Sequence, residues 1–154
     1  MKSQNIILYR HAKSSWENPE LKDFDRPLNS RGKKEAKKQA KRIKKMDLKI
    51  DHFFLSPSKR TKKTLKPLAK TLKIKKKSVS LIPELYECQG SDLEKFLEQE
   101  KFKHKTILVL GHNPAIEDFI NKNASQDSLE IPTGTICILK RNKKGFKLNK
   151  VLNP

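Results

Sequence analysis

The sequence predicts an α/β fold, with helices layered on a mostly parallel sheet. Three observations point there. Short apolar runs recur along the chain, each bounded by turn or polar residues. Segments of helical periodicity alternate with them, and in those segments lysines lie opposite the apolar positions. The chain of 154 residues is long enough to bury a substantial core and is read as one domain, 1–154.

Taken in order, the first strand is Ile6–Tyr9, four residues that run straight into Arg10 and His11. A helix follows, because Ala36, Ala40, Ile43 and Met46 recur at helical spacing. Residues 52–56, 79–82 and 106–111 read as three further buried strands. Between the first two of these, Thr61, Leu65, Leu68 and Leu72 mark a second helix, which Pro67 should kink or interrupt. Leu93, Phe96 and Leu97 mark a short helix, and Ile116, Phe119 and Ile120 another after Pro114. The sequences GTICILKR and KGFKLNKVL close the chain as a pair of strands around the turn RNKKG.

Charge is the extreme feature of the composition. Thirty-six Lys and Arg against 17 Asp and Glu leave a net charge of +19. Such a balance favours anionic partners. Most of the excess is lysine in the helical segments, which reads as solvated helix faces rather than a nucleic-acid surface. Two cysteines, Cys88 and Cys137, form no framework and fit a reducing compartment. No apolar run approaches the roughly 20 residues that span a bilayer, and the start lacks a signal-peptide core. The expectation is a cytoplasmic protein with no membrane partner.

Three polar clusters sit just past three of the apolar runs: Arg10-His11, the stretch SPSKRTKKT with Ser56, Arg60 and Thr61, and GHNP with Gly111, His112 and Asn113. In a parallel sheet those strand ends share one rim, where ligands bind. Two arginines and two histidines with no evident acid nearby would bind an anion, and guanidinium forks match phosphate.

At these residues the sequence resembles the histidine phosphatase superfamily, most closely its SixA-type phosphohistidine phosphatase branch. LYRHAK corresponds to the Arg-His signature, LSPSKRTKKT to the Ser-Pro-x-x-Arg-x-x-x-Thr element, LGHNP to the second-histidine element, and FDRPLNSRGKKEA to the segment that follows the signature. The resemblance covers about residues 5 to 140. It implies a three-layer α/β/α sandwich of the phosphoglycerate mutase-like type. It also implies a metal-independent, cofactor-free phosphatase in which His11 is the nucleophile and Arg10, Arg60 and His112 bind the phosphoryl oxygens. A backbone carbonyl should fix the His11 tautomer. LYECQG matches the family stretch that carries the general acid, which selects Glu87, with Glu84 as the fallback. The implied substrate is a phosphohistidine on a protein of the phosphotransfer-domain type, with a small phosphomonoester as the alternative. Only Cys88–Lys105 separates the acid loop from the last core strand, too little to roof the pocket, unless the loop KSSWENPEL folds over it. Trp16 in that loop is read either as a substrate contact or as packing.

Rival chemistries fit less well. Cys88 is followed at the position a cysteine phosphatase requires by Glu94 rather than Arg. Asp23 and Asp25 form an Asp-x-Asp pair, but no apolar strand precedes it. No phosphate-binding P-loop is present. His52 and His104 lack partners at metal-ligand spacing and read as structural or surface residues. A basic RNA- or phospholigand-binding module without turnover would explain the charge but not the three clusters, and the interleaved aromatics of RNA-binding surfaces are missing.

Overall fold

The computed structural model describes residues 2–125 and 128–154. Its elements run β1 (Gln4–Arg10), α1 (Ser30–Lys45), β2 (His52–Leu55), α2 (Lys59–Leu72), β3 (Val79–Leu81), α3 (Gly90–Gln99), β4 (Thr106–Gly111), α4 (Ala115–Asn123), β5 (Ile136–Asn142) and β6 (Gly145–Leu152). The six strands form one sheet in the order β3-β2-β4-β1-β5-β6. The pairs β2–β3, β2–β4 and β1–β4 are parallel, and β1–β5 and β5–β6 are antiparallel. The expected alternation, the mostly parallel sheet and the closing hairpin are all present.

Strand pleating divides the core into two layers, because successive side chains point to opposite faces. Ile6 and Leu8 of β1 join Phe54, Ile107 and Val109 on one face, packed by Leu93, Phe96 and Leu97 of α3 and Ile116, Phe119 and Ile120 of α4. Ile7 and Tyr9 join Phe53, Leu55, Leu108 and Leu110 on the other, packed by Ala40 and Ile43 of α1 and Leu65 and Leu68 of α2. The two helical layers thus enclose a sheet whose central strands β1 and β4 are buried on both faces, as near-continuous apolar runs require. The result is the three-layer α/β/α sandwich.

Local chemistry sets the helix starts. The Asn29 side chain accepts from the Gly32 amide at 2.7 Å and caps α1, and Gln89 and Asp92 form a reciprocal capping box on α3. Each supplies acceptors to amides that the first helical turn leaves unpaired.

Two expectations need correction. Helix α2 continues through Pro67 from Lys59 to Leu72 without interruption. Proline removes only its own amide donor, and the carbonyl deprived of that bond belongs to Lys63, which is exposed to solvent. The run 79–82 is not a buried strand: β3 is a three-residue edge strand, half-buried at Val79 and Ser80 and exposed at Leu81. It pairs only with β2, and apolar content alone does not distinguish an edge from a centre. His52 and His104 stack with ring centroids 5.4 Å apart, and His52 Nε2 bonds the Ser80 hydroxyl at 2.7 Å.

Candidate active site

Register brings the three clusters together. Arg10 is the last residue of β1 and lies opposite Gly111, the last residue of β4. The His11 amide donates to the Gly111 carbonyl at 3.0 Å, so His11 and His112 leave the sheet side by side. On the other flank of β4, the Ser56 amide donates to the Leu110 carbonyl at 3.1 Å. The two imidazoles face each other with centroids 5.1 Å apart. Arg10, His11, Arg60, His112 and Glu87 all line one open cleft of about 370 Å³, together with Lys13, Ser14, Trp16, Arg26 and Tyr86.

His11 is buried, and its Nδ1 lies 2.7 Å from the carbonyl of Ala12. A carbonyl only accepts, so Nδ1 carries the proton and the Nε2 lone pair is left free. Burial is the main reason the imidazole resists protonation. The Ala12 bond works the other way, and His112, Arg60 and Arg10 add electrostatically to burial, lowering the pKa to about 3. The expected carbonyl is therefore that of Ala12. Its placement is reinforced because the Ala12 amide donates to Thr64 Oγ1 at 3.0 Å, while that hydroxyl donates to the Arg60 carbonyl at 2.7 Å. Thr64, the last residue of SPSKRTKKT, thus ties the His11 loop to the helix that carries Arg60.

His112 is held on its two nitrogens. Nε2 lies 2.7 Å from the Ser56 hydroxyl, and Arg60 Nη2 lies 3.5 Å from Nδ1. A guanidinium only donates, so Nδ1 accepts and Nε2–H donates to Ser56. Burial, then the Arg60 charge, lower this imidazole to about 4. Arg10 Nη1 donates to the Ile131 carbonyl at 2.7 Å, and its buried Nε has no acceptor among the described residues.

The site contains an acid that the sequence did not announce. Arg60 donates through Nη1 to the backbone carbonyl of Asp23 at 2.7 Å and through Nη2 to its carboxylate at 3.0 Å. The same carboxylate accepts from the Tyr86 hydroxyl at 2.7 Å and from Arg26 Nη1 at 3.1 Å. Burial alone would raise the Asp23 carboxyl, but bonds from Tyr86 and Arg60, the Arg60 charge and the bond from Arg26 together bring it to about 2. Tyr86 moves the opposite way, pushed up to about 12 by burial and by its bond to Asp23. An acid thus stands beside the two arginines and two histidines, where none is evident in the sequence. Asp23 opens the 3-10 turn Asp23–Asp25, one residue before the segment FDRPLNSRGKKEA, and its Asp-x-Asp spacing with Asp25 suggests only a nucleophile.

The two glutamates part company. Glu87 lines the cleft, and its exposed carboxylate makes no hydrogen bond or ion pair among the described residues. It adopts a left-handed backbone with φ 56, uncommon for a residue with a side chain. Glu84 instead lines a separate groove with Ile82, Asp92, Lys95 and Phe96, and so lies outside the site. Asn113 is occupied structurally: its amide donates to Glu117 and to the Ile131 carbonyl, and its carbonyl oxygen accepts from the Glu117 amide. The loop KSSWENPEL does reach the cleft and forms one wall. Trp16 there is 72% exposed, with the Arg26 guanidinium 3.2 Å from its ring centroid. Arg26 is anchored by the Ser15 carbonyl and the Ser14 hydroxyl.

The sequence profile of the histidine phosphatase superfamily (branch 1) matches residues 6–106. The chain is 31% identical over 124 residues to an uncharacterised chloroplastic protein of Arabidopsis thaliana. That match covers 75% of this chain and 57% of the relative, so the chain spans little more than half of the relative's length. Among solved structures, one assigned as the phosphohistidine phosphatase SixA of Agrobacterium tumefaciens superposes with a TM-score of 0.86, at 24% identity over 98% of each chain. The alpha-ribazole phosphatase of Shigella flexneri superposes with a TM-score of 0.76, at 16% identity over 98% of this chain and 96% of that one. Both likenesses are of fold.

Proposed function

Because the chain belongs to the histidine phosphatase superfamily (branch 1), we propose that it hydrolyses phosphohistidine on a protein through a covalent phosphohistidine intermediate on His11, without a metal or other cofactor. The observation that carries this reading is the Nδ1–H bond from His11 to the Ala12 carbonyl. It leaves the Nε2 lone pair available beside Arg10, Arg60 and His112 in one cleft. The depressed basicity of His11 means that the lone pair is present at neutral pH.

In the first step His11 Nε2 forms a bond to phosphorus as the bond to the leaving group breaks. Arg10 and Arg60 hold the phosphoryl oxygens, and His112 lies beside them. In the second step water attacks phosphorus, the bond to Nε2 breaks, and inorganic phosphate leaves. A substrate imidazole departs readily and needs little acid, whereas an alkoxide needs a proton. Glu87 is the carboxylate assigned to supply it. Asp23 is a poor donor in the resting enzyme, since its three partners keep it ionised well below neutral pH.

The open cleft supports a protein substrate, since a protruding phosphorylated side chain can enter it, and the exposed Trp16 ring at its wall offers an aromatic contact. A second reading, a small phosphomonoester, is favoured by the presence of Glu87 in the cleft. Hydrolysis of a histidine-phosphorylated phosphotransfer domain, measured beside a panel of small phosphomonoesters in EDTA, separates the two. Preference for the phosphoprotein supports the proposal, and preference for an ester replaces its substrate. His11→Ala should abolish turnover of both, and full activity in that variant would refute the mechanism.

A further inference from the structure

The structure segregates charge between its two helical layers. Nine of the sixteen residues of α1 are Lys or Arg against one acid, and α2 has six in fourteen against none. On the opposite layer, α3 and α4 together carry two lysines against five carboxylates. All twelve lysines of α1 and α2 are exposed, and among the described residues none makes an ion pair. The two helices pack side by side, which forms a basic plate about 24 Å long at 1.5 Å per residue. Like charges this dense repel one another, so the plate is a standing attractor for an anionic surface.

We propose that the α1/α2 plate is the docking surface for an acidic phosphoprotein substrate, an inference that rests on the phosphoprotein reading above. Position argues for it, because Lys59 at the first turn of α2 immediately precedes Arg60. The segment carrying Lys13 and Asp23 lies against the same end: a Cβ on Gly32 of α1 would meet the Lys13 carbonyl, and Asp23 holds Arg60. An acidic protein lying along the plate therefore has its phosphoryl group at the cleft. The surface suits a protein better than other polyanions. None of the exposed large apolar or aromatic residues lies on α1 or α2, so the plate offers no ring for stacking bases and no wedge for a bilayer. Its lysines are hydrated point charges that attract carboxylates over a distance without fixing them.

The test compares the wild-type chain with two exposed-lysine sets, K37E/K41E/K45E on α1 combined with K63E/K66E/K70E on α2, and the same six positions changed to Gln. The substrates are a histidine-phosphorylated phosphotransfer domain of net negative charge, a variant of it with surface carboxylates neutralised, and a small phosphomonoester. The proposal expects kcat/KM on the acidic domain to fall at least about tenfold in the Glu set and less in the Gln set. It also expects the wild-type advantage to shrink between about 0.01 M and 0.15 M salt, as the Debye length falls from about 30 Å to about 8 Å. Turnover of the small ester should be unchanged, which reports that the variants are folded. Equal kcat/KM on both forms of the domain, or no loss in the variants, overturns the docking surface while leaving the substrate reading intact. If wild type hydrolyses the small ester and ignores both domains, the substrate reading itself fails and the docking surface falls with it.

Discussion

Asp23 grips Arg60 at two points, with its backbone carbonyl 2.7 Å from Nη1 and its carboxylate 3.0 Å from Nη2. The guanidinium proposed to receive a phosphoryl group already faces an internal carboxylate. Asn can reproduce the acceptor contacts to Arg60 and Tyr86 without the charge. Asp23→Asn is therefore expected to bind inorganic phosphate about three- to tenfold more tightly, because a negative charge beside the anion site is removed while Arg60 stays in place. The inhibition constant of phosphate against a small ester reports it. Weaker inhibition in the variant would mean that the ionised carboxylate is needed to orient Arg60.

The buried histidines predict how stability depends on pH. Burial above all lowers the pKa of His11 to about 3 and that of His112 to about 4, against 6.5 for a free imidazole. Between pH 6.5 and about 4 the unfolded chain binds protons that the folded protein refuses, so the folded state loses stability as pH falls through that window. Chemical denaturation followed at pH 7, 5.5 and 4.5 should show a loss on the order of a few kcal/mol at the acid end. The combined His11→Asn, His112→Asn variant should flatten that decline. An equally steep decline in the variant would assign it to other groups.

Much of this site is legible from the sequence because its ligands follow buried strands. Apolar runs locate β1, β2 and β4, and the rule that ligands bind at strand ends then locates Arg10, His11, Arg60 and His112. Asp23 has no such marker. It sits in an irregular segment without periodicity, and its partner Arg60 is 37 positions away. The choice between Glu84 and Glu87 is hidden for a different reason. The 3-10 turn Pro83–Leu85 and the left-handed backbone at Glu87 send the two carboxylates to separate grooves, and neither feature has a strong signature in PELYECQG. The charge segregation is half visible, since lysines are evident in the helices but the sequence does not say which helices share a layer.

Glu87 carries the cost of its position in its backbone. A φ of 56 is strained for any residue with a Cβ and free for glycine. Glu87→Gly should therefore leave the fold as stable or stabilise it by up to about 1 kcal/mol, while turnover of an alkyl phosphate falls by about 10²-fold or more. Glu87→Gln, which keeps the side chain, should lower alkyl phosphate hydrolysis as much without the stability gain. Both should impair phosphohistidine hydrolysis less. Equal losses on the two substrates would remove Glu87 from the role of proton donor to a poor leaving group.

Gly32 shows how closely α1 supports the proposed nucleophile. A Cβ at this position would overlap the Lys13 carbonyl oxygen and lie 2.9 Å from the Lys13 amide nitrogen, both backbone atoms that cannot swing aside like a side chain. Lys13 follows Ala12, whose carbonyl fixes the His11 tautomer, and the Asn29 amide donates to that same Lys13 carbonyl at 3.0 Å. Gly32→Ala must therefore either move the first turn of α1 or push the 12–13 backbone away from it. Helix propensity favours Ala over Gly by up to about 1 kcal/mol, so an open site would be stabilised. The clash outweighs that gain, and the variant should lose roughly 1–3 kcal/mol. Where it still folds, it should also lose kcat, because displacing Ala12 releases the His11 ring. A variant of wild-type kcat and raised melting temperature would show that the backbone at Lys13 yields without disturbing His11.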